Sequence, residues 1–192
     1  MNTYVQFRDE QLVVLTGQGD TVAFDELYGR YNQRLYSFFL RMYNGCTEKA
    51  SDSLQEIFLK IIERPGMFDP ERSFSSWIFS IAYNMCKNDY KHEAVRINVH
   101  KEIRQEGRDR GLFCFQQATD KLDRKIFRQR LEEELLLLSE EKRCAFILKY
   151  QEHKSIREIA QIQECSEGTV KSRIFYASQH LARQLAAFNP KT

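Results

Sequence analysis

Glycine and proline are scarce in this chain, with eight of the first and three of the second among 192 residues. So few turn formers exclude an all-β protein built from many tight hairpins. Cysteine is present but unpatterned. Cys46, Cys86, Cys114, Cys144 and Cys165 are odd in number, widely scattered and without a C-x-x-C pair. That fits neither a disulfide framework nor a zinc site, and a reducing compartment is the simplest reading. Long apolar runs are missing too. Trp77 to Ala82 and Leu135 to Leu138 fall far short of the roughly 20 residues a membrane helix needs. The start, Met1 to Glu10, lacks the basic and apolar segments of a signal peptide. The expectation is a cytoplasmic protein with no direct membrane insertion.

Catalytic signatures are equally thin. His92, His100, His153 and His180 show no H-E-x-x-H spacing. No glycine-rich phosphate loop is present, and no Ser/His/Asp set stands out by local motif. Glu132-Glu133-Glu134 and Glu140-Glu141 read as solvated helical faces rather than metal ligands. No enzymatic activity, metal or cofactor is expected.

What is present is charge, unevenly placed. The formal net charge is +2, but residues 1–91 carry 10 basic and 12 acidic side chains, residues 92–130 carry 10 and 6, and residues 131–192 carry 9 and 9. Nothing acidic follows Glu167, while Lys171, Arg173, Arg183 and Lys191 do. A basic C-terminal helix attached to an acidic first half suits an anionic partner such as nucleic acid and a second, basic protein partner. Chance variation in a soluble helical protein is the alternative.

Apolar residues recur at three and four almost everywhere, and sustained period-two alternation is absent, which predicts an all-α fold. Two small helical domains are expected, at 1–91 and 121–192. The segment 92–120, with mixed charge, Gly107 and Gly111, reads as a flexible linker or as a poorly packed surface segment of one domain.

Three stretches carry functional information. On a helical wheel of Asp52 to Glu63, Leu54, Ile57, Phe58, Ile61 and Ile62 form a core face. Asp52, Gln55, Glu56, Leu59 and Glu63 gather opposite it. A leucine ringed by carboxylates and an amide is the composition of a small interaction patch. Next comes Arg64 to Ser73, a loop broken by Pro65, Gly66 and Pro70. The helix after it is expected to bury Phe74, Trp77, Ile78, Ile81, Ala82 and Met85. Its far side would then carry Phe79, Tyr83 and Tyr90 beside Asn84 and Lys87. Aromatics interleaved with such groups suit single-stranded nucleic acid, or they pack on another helix of the same domain.

The third stretch is a helix-turn-helix: Ser155 to Ile162, a turn at Gln163-Glu164-Cys165, and a second helix capped by Ser166 with Glu167 in its first turn. Val170, Ile174, Ala177, Leu181 and Leu185 form its buried face. Thr169, Lys171, Ser172, Arg173 and Tyr176 stay available to a DNA major groove. Glu164 costs about 1 kcal/mol if the turn requires left-handed backbone there.

Four segments in order resemble one family, the bacterial RNA polymerase sigma factors of the extracytoplasmic-function (ECF) type. They are Ala23-Phe24-Asp25-Glu26-Leu27-Tyr28 with Tyr31 and Leu35-Tyr36; Asp52 to Lys60; Phe68 to Ile78 continued by Ile81-Ala82-Tyr83-Asn84; and Gly168-Thr169-Val170-Lys171-Ser172-Arg173. The resemblance implies a promoter-specificity subunit without catalytic chemistry. It implies that Asp52, Gln55, Glu56, Leu59 and Glu63 bind core RNA polymerase. Asp69, Arg72, Ser73, Phe79, Tyr83, Asn84, Lys87 and Asn88 would engage the promoter −10 element. Ser166, Glu167, Thr169, Lys171, Ser172, Arg173 and Tyr176 would read the −35 element of promoter DNA. An anti-sigma factor is a further implied partner. Ser139 stands where the family usually has proline, and serves as an N-cap before Glu140 and Glu141. The alternative is a helix-turn-helix regulator acting without polymerase, which leaves the Leu59 patch and the aromatic helix idle.

Overall fold

The computed structural model describes residues 3–99 and 122–186. Among them are eight α-helices and no strand: α1 (Asp9–Gly17), α2 (Thr21–Met42), α3 (Thr47–Glu63), α4 (Phe74–Val99), α5 (Leu122–Leu136), α6 (Glu140–Tyr150), α7 (Ile156–Ile162) and α8 (Glu167–Gln184). The all-α expectation holds. The chain divides into two compact units, one holding α1–α4 and the other α5–α8. Helix α4 runs on to Val99, past the Lys91 end expected from sequence. Most of the segment expected as a linker lies outside the described residues.

In the first unit α2 is the central element. Leu27, Tyr31, Leu35, Phe38, Phe39 and Met42 give it a nearly solvent-free stripe, at the three-and-four spacing of a helix buried along one side. Asp20 caps it, accepting from the Val22 and Ala23 amides while the Tyr4 phenol donates to the same carboxylate at 2.6 Å. The phenol first, and the Ala23 amide next, hold the Asp20 carboxyl below its ordinary range. Arg30 fastens the N-terminal segment. Its guanidinium donates to Asp9 at 2.7 Å, Glu26 at 2.9 Å and the carbonyls of Tyr4, Val5 and Phe7. Glu10 reaches across 64 positions to accept from the Phe74 amide at 3.0 Å, so α1 supplies a cap for α4.

At the other end Tyr43 joins three helices, donating to Asp89 on α4 at 2.6 Å and accepting from Ser53 on α3. Burial, the neighbouring Cys86 and the Asp89 carboxylate raise the Tyr43 phenol well above its ordinary value. Tyr31 is raised as well, by burial first and then by its bond to Asp9.

The second unit has a core of Leu135, Leu138, Ala177 and Leu181, extended by Leu131, Phe146 and Leu185. Helix α8 packs on α6 and α7. Ser155 and Glu158 form a reciprocal capping box at the start of α7, the strongest local start signal in this half. Ser139 stands at the N-cap of α6 but makes no side-chain cap bond. The buried Arg143 instead ties that junction, donating to the carbonyls of Leu136, the last residue of α5, and Leu138, in the turn after it.

Candidate functional site

The face of α3 away from the core is built as its periodicity implies. Asp52, Gln55, Glu56 and Glu63 are exposed, and Leu59 in their midst is 53% exposed. One residue departs. Ile62, expected in the core, is 47% exposed. The buried side of α3 centres on Ala50, Ser53, Ile57 and Ile61; Ile62 sits roughly 120° around the helix from Ala50, beyond what α2 and α4 cover. It becomes one wall of a shallow apolar groove, about 260 Å³, shared with Phe24 and Tyr28 of α2 and Leu54, Gln55, Phe58 and Leu59 of α3. An edge-on contact of Phe58 with Phe24 at 6.0 Å and a tilted one with Tyr28 at 4.7 Å fix the groove floor. Carboxylates at 52, 56 and 63 lie together on its Leu59 side, Glu56 pairing with Lys60 at 2.6 Å.

The loop before α4 is ordered by its own side chains. Asp69 accepts from the Glu71 amide at 3.1 Å and faces the Arg72 guanidinium at 3.4 Å. Ser73 caps α4 through the Ser76 amide. Phe68, Phe74 and Trp77 form a ring cluster with centroids 5.2 to 5.6 Å apart.

On α4 half of the expected core face holds, and of the two readings of the far-side aromatics it is packing within the domain that the structure shows. Phe79 is 0% exposed and Tyr83 is buried, as are Phe74, Ile78, Ala82 and Cys86, whereas Trp77, Ile81 and Met85 are half-buried. The core face is turned by roughly 80° from the wheel's expectation. The reason is that α4 packs against both α2 and α3, so its apolar arc must be wide. Phe79 meets Phe38 edge-on at 5.5 Å, and the Arg34 guanidinium lies 5.6 Å from its ring centre. Tyr90 donates to the Met42 carbonyl at the end of α2. These aromatics are structural, not ligand-facing. What α4 presents outward is Trp77, Ser80, Ile81, Asn84, Lys87 and Asn88, half-buried or exposed along one stripe. Trp77 is the aromatic that sequence reasoning had assigned to the core.

In the second unit α7, the turn and α8 form a helix-turn-helix. Glu164 has φ of 51°, the left-handed value that the turn demands. The Cys165 amide returns to the Ala160 carbonyl at 3.0 Å and closes α7. Ser166 caps α8 through the Thr169 amide at 3.1 Å and meets the Thr169 hydroxyl at 2.9 Å. Glu167, Gly168, Thr169, Lys171, Ser172 and Tyr176 are exposed. Arg173 is half-buried and turned back, donating to Gln163 at 2.9 Å and to the Cys165 sulfur at 3.3 Å. Phe175, absent from the expected site, is 60% exposed, one turn beyond Lys171 and Ser172. The signal for it was on the wheel: it lies opposite the stripe of Val170, Ala177 and Leu181. No group of His, Cys, Asp and Glu suited to a metal occurs among the described residues, and no described helix is long and apolar enough to cross a membrane.

These two surfaces coincide with two family domains. Residues 27–95 match Sigma-70 region 2, and residues 128–181 match Sigma-70 region 4. The RNA polymerase sigma-H factor of Pseudomonas aeruginosa is 30% identical over 187 residues, covering 94% of this chain and 95% of that protein. The ECF RNA polymerase sigma factor SigW of Bacillus subtilis is 27% identical, with 88% and 91% covered. Among solved structures, the sigma factor RpoE of Bartonella quintana, crystallised with the anti-sigma factor NepR, shares the fold at a TM-score of 0.70 and 22% identity. That match covers 85% of this chain and 96% of that one. With both sigma-70 regions in order and a 30% identical relative matched nearly end to end, the chain belongs to the ECF-type RNA polymerase sigma factors, non-catalytic subunits that direct the polymerase to promoters.

Proposed function

We propose that the α3 face with its apolar groove is the polymerase-docking surface, seated on the clamp helices of the largest subunit. The observation that carries this is the exposure of Leu59 and Ile62 beside an open aromatic-floored groove with carboxylates along one flank. Such an apolar centre with a charged flank matches the anatomy of an energetically focused interface. The loop of Asp69, Arg72 and Ser73 with the outward stripe of Asn84, Lys87 and Asn88 engages the −10 element as it opens, and Trp77 is the ring placed to stack on an unpaired base. Helix α8 reads the −35 duplex. Lys171 and Ser172 meet phosphates and base edges, Phe175 offers its ring to a thymine methyl, and Tyr176, Thr169, Glu167 and Ser166 flank them. An anti-sigma factor restrains the protein until a stress or envelope signal releases it, as the complexed fold relatives suggest. It acts in the cytoplasm, where the polymerase is.

The test is transcription reconstituted from the host's core polymerase, this protein and a genomic DNA library. Discrete start sites that disappear with Leu59→Asp, in a protein that remains folded, are expected. Sequence-specific DNA binding with neither polymerase binding nor initiation would overturn the docking assignment.

A further inference from the structure

We propose that Arg173 is a positioning residue, which sets the orientation of α8 through the turn and does not itself touch DNA. This rests on the reading of α8 as the −35 reader. Arg173 Nη1 donates to Gln163 Oε1 at 2.9 Å and to Cys165 Sγ at 3.3 Å. Gln163 is buried, and its Nε2 donates to the Glu141 carbonyl in the first turn of α6 at 2.9 Å. A guanidinium, an amide and a carbonyl thus form one relay from the recognition helix, through the turn, to the scaffold helix.

The polarity of the relay is fixed at each joint. Arginine can only donate and a carbonyl can only accept, so Gln163 must show its oxygen to α8 and its NH2 to α6. A reversed amide would set donor against donor and acceptor against acceptor. Drawing the guanidinium away to a phosphate would leave a buried amide oxygen unsatisfied, which a native structure rarely tolerates. Lys171, exposed on the outward face, has no such tie in the relay. Of the two cations expected at the DNA, one faces outward and the other holds the frame.

The experiment compares full-length wild type with Lys171→Met, Arg173→Met and Gln163→Met. Binding is measured across a range of salt concentrations on duplexes taken from start sites mapped in the reconstituted reaction. A cation that touches a phosphate contributes about 0.9 to the slope of log affinity on log salt. Lys171→Met is expected to remove that increment. Arg173→Met is expected to weaken binding about five- to tenfold with the slope unchanged, the net scale of one intramolecular hydrogen bond. Gln163→Met, which leaves the Arg173 charge intact, is expected to reproduce the same loss, and the double variant to bind no more weakly than either single one.

A slope reduced by about 0.9 in Arg173→Met, or full affinity in Gln163→Met, overturns the proposal. Should Arg173→Met fail to fold by circular dichroism, Arg173→Lys decides. It keeps the charge but ends one bond short of Nη1, the atom that makes both bonds, so a positioning role predicts the affinity loss and a phosphate contact predicts none. If wild type does not prefer these duplexes over scrambled ones, the reading of α8 fails instead.

Discussion

Replacing Glu164 by glycine should stabilise the second unit. Glu164 holds φ of 51° between Gln163, which ends α7, and Cys165, whose amide closes the helix onto the Ala160 carbonyl. A residue with a Cβ in left-handed backbone gives up roughly 1–2 kcal/mol. Glycine removes that strain but loses about 0.5–1 kcal/mol more backbone entropy on folding. The difference is a net gain of about 0.5–1 kcal/mol, which for a unit of this size raises Tm by about 2–8 °C. The assay is thermal unfolding of the full chain followed by far-ultraviolet circular dichroism. Fluorescence of Trp77, the sole tryptophan, reports the first unit in parallel and should not shift. Glu164→Ala keeps the Cβ and removes the charge, so it should melt close to wild type. The reasoning is refuted if Glu164→Gly melts at or below wild type, or if Glu164→Ala gains as much, which would assign the effect to charge rather than to backbone.

Three further outcomes follow from the geometry. Phe79→Ala should destabilise the first unit by about 3–5 kcal/mol, read as a fall in the Trp77 fluorescence midpoint; an unchanged midpoint with selective loss of single-stranded −10 DNA binding would restore Phe79 to the outer face. Phe175→Ala should leave Tm nearly unchanged, because the ring is exposed, yet weaken discrimination at one −35 base pair by about 1–3 kcal/mol; uniform loss across all sequences would contradict a base contact. The first unit should lose stability above about pH 10, the ordinary tyrosine value. Tyr31 and Tyr43 have raised values when folded. The unfolded chain therefore releases these protons first, and the stabilisation present below pH 10 declines as pH rises. The slope is about 1.4 kcal/mol per pH unit for each phenol. Tyr43→Phe should flatten this decline in alkaline denaturation midpoints, and an unaltered decline would dissociate it from the phenol.

How much was legible in the sequence follows from how local each cause is. The Ser166 cap, the turn at Glu164 and the Val170–Leu181 stripe are set by residues a few positions apart, so spacing alone revealed them. The Leu59 patch was legible for the same reason, since α3 is amphipathic about one axis. Ile62 was not, because the limit of a core face depends on how far the neighbouring helices reach. On α4 the wheel found half of the core face, Phe74, Ile78 and Ala82, and left the place of the far-side aromatics open between a ligand and another helix. Its rule presumes one buried side, and a helix wedged between α2 and α3 has two. Phe79 and Tyr83 fill the second contact, which periodicity alone does not distinguish from an outer stripe.

Contacts that cross the chain leave still less trace. The bond from Glu10 to the start of α4 spans 64 positions, and the Arg30 carbonyl cluster spans up to 26; neither changes any periodicity. Arg173 shows what this means for function. As a basic residue inside a recognition-helix motif it reads as a DNA contact, and its charge is the property the motif displays. Its role depends instead on a buried glutamine ten positions earlier and a carbonyl on α6. A motif supplies the residue type at a position but not the direction of the side chain, and on α8 that direction separates Lys171 from Arg173. Charge counts alone therefore overstate the number of phosphate contacts this helix can make, and the salt slope is the quantity that exposes the excess.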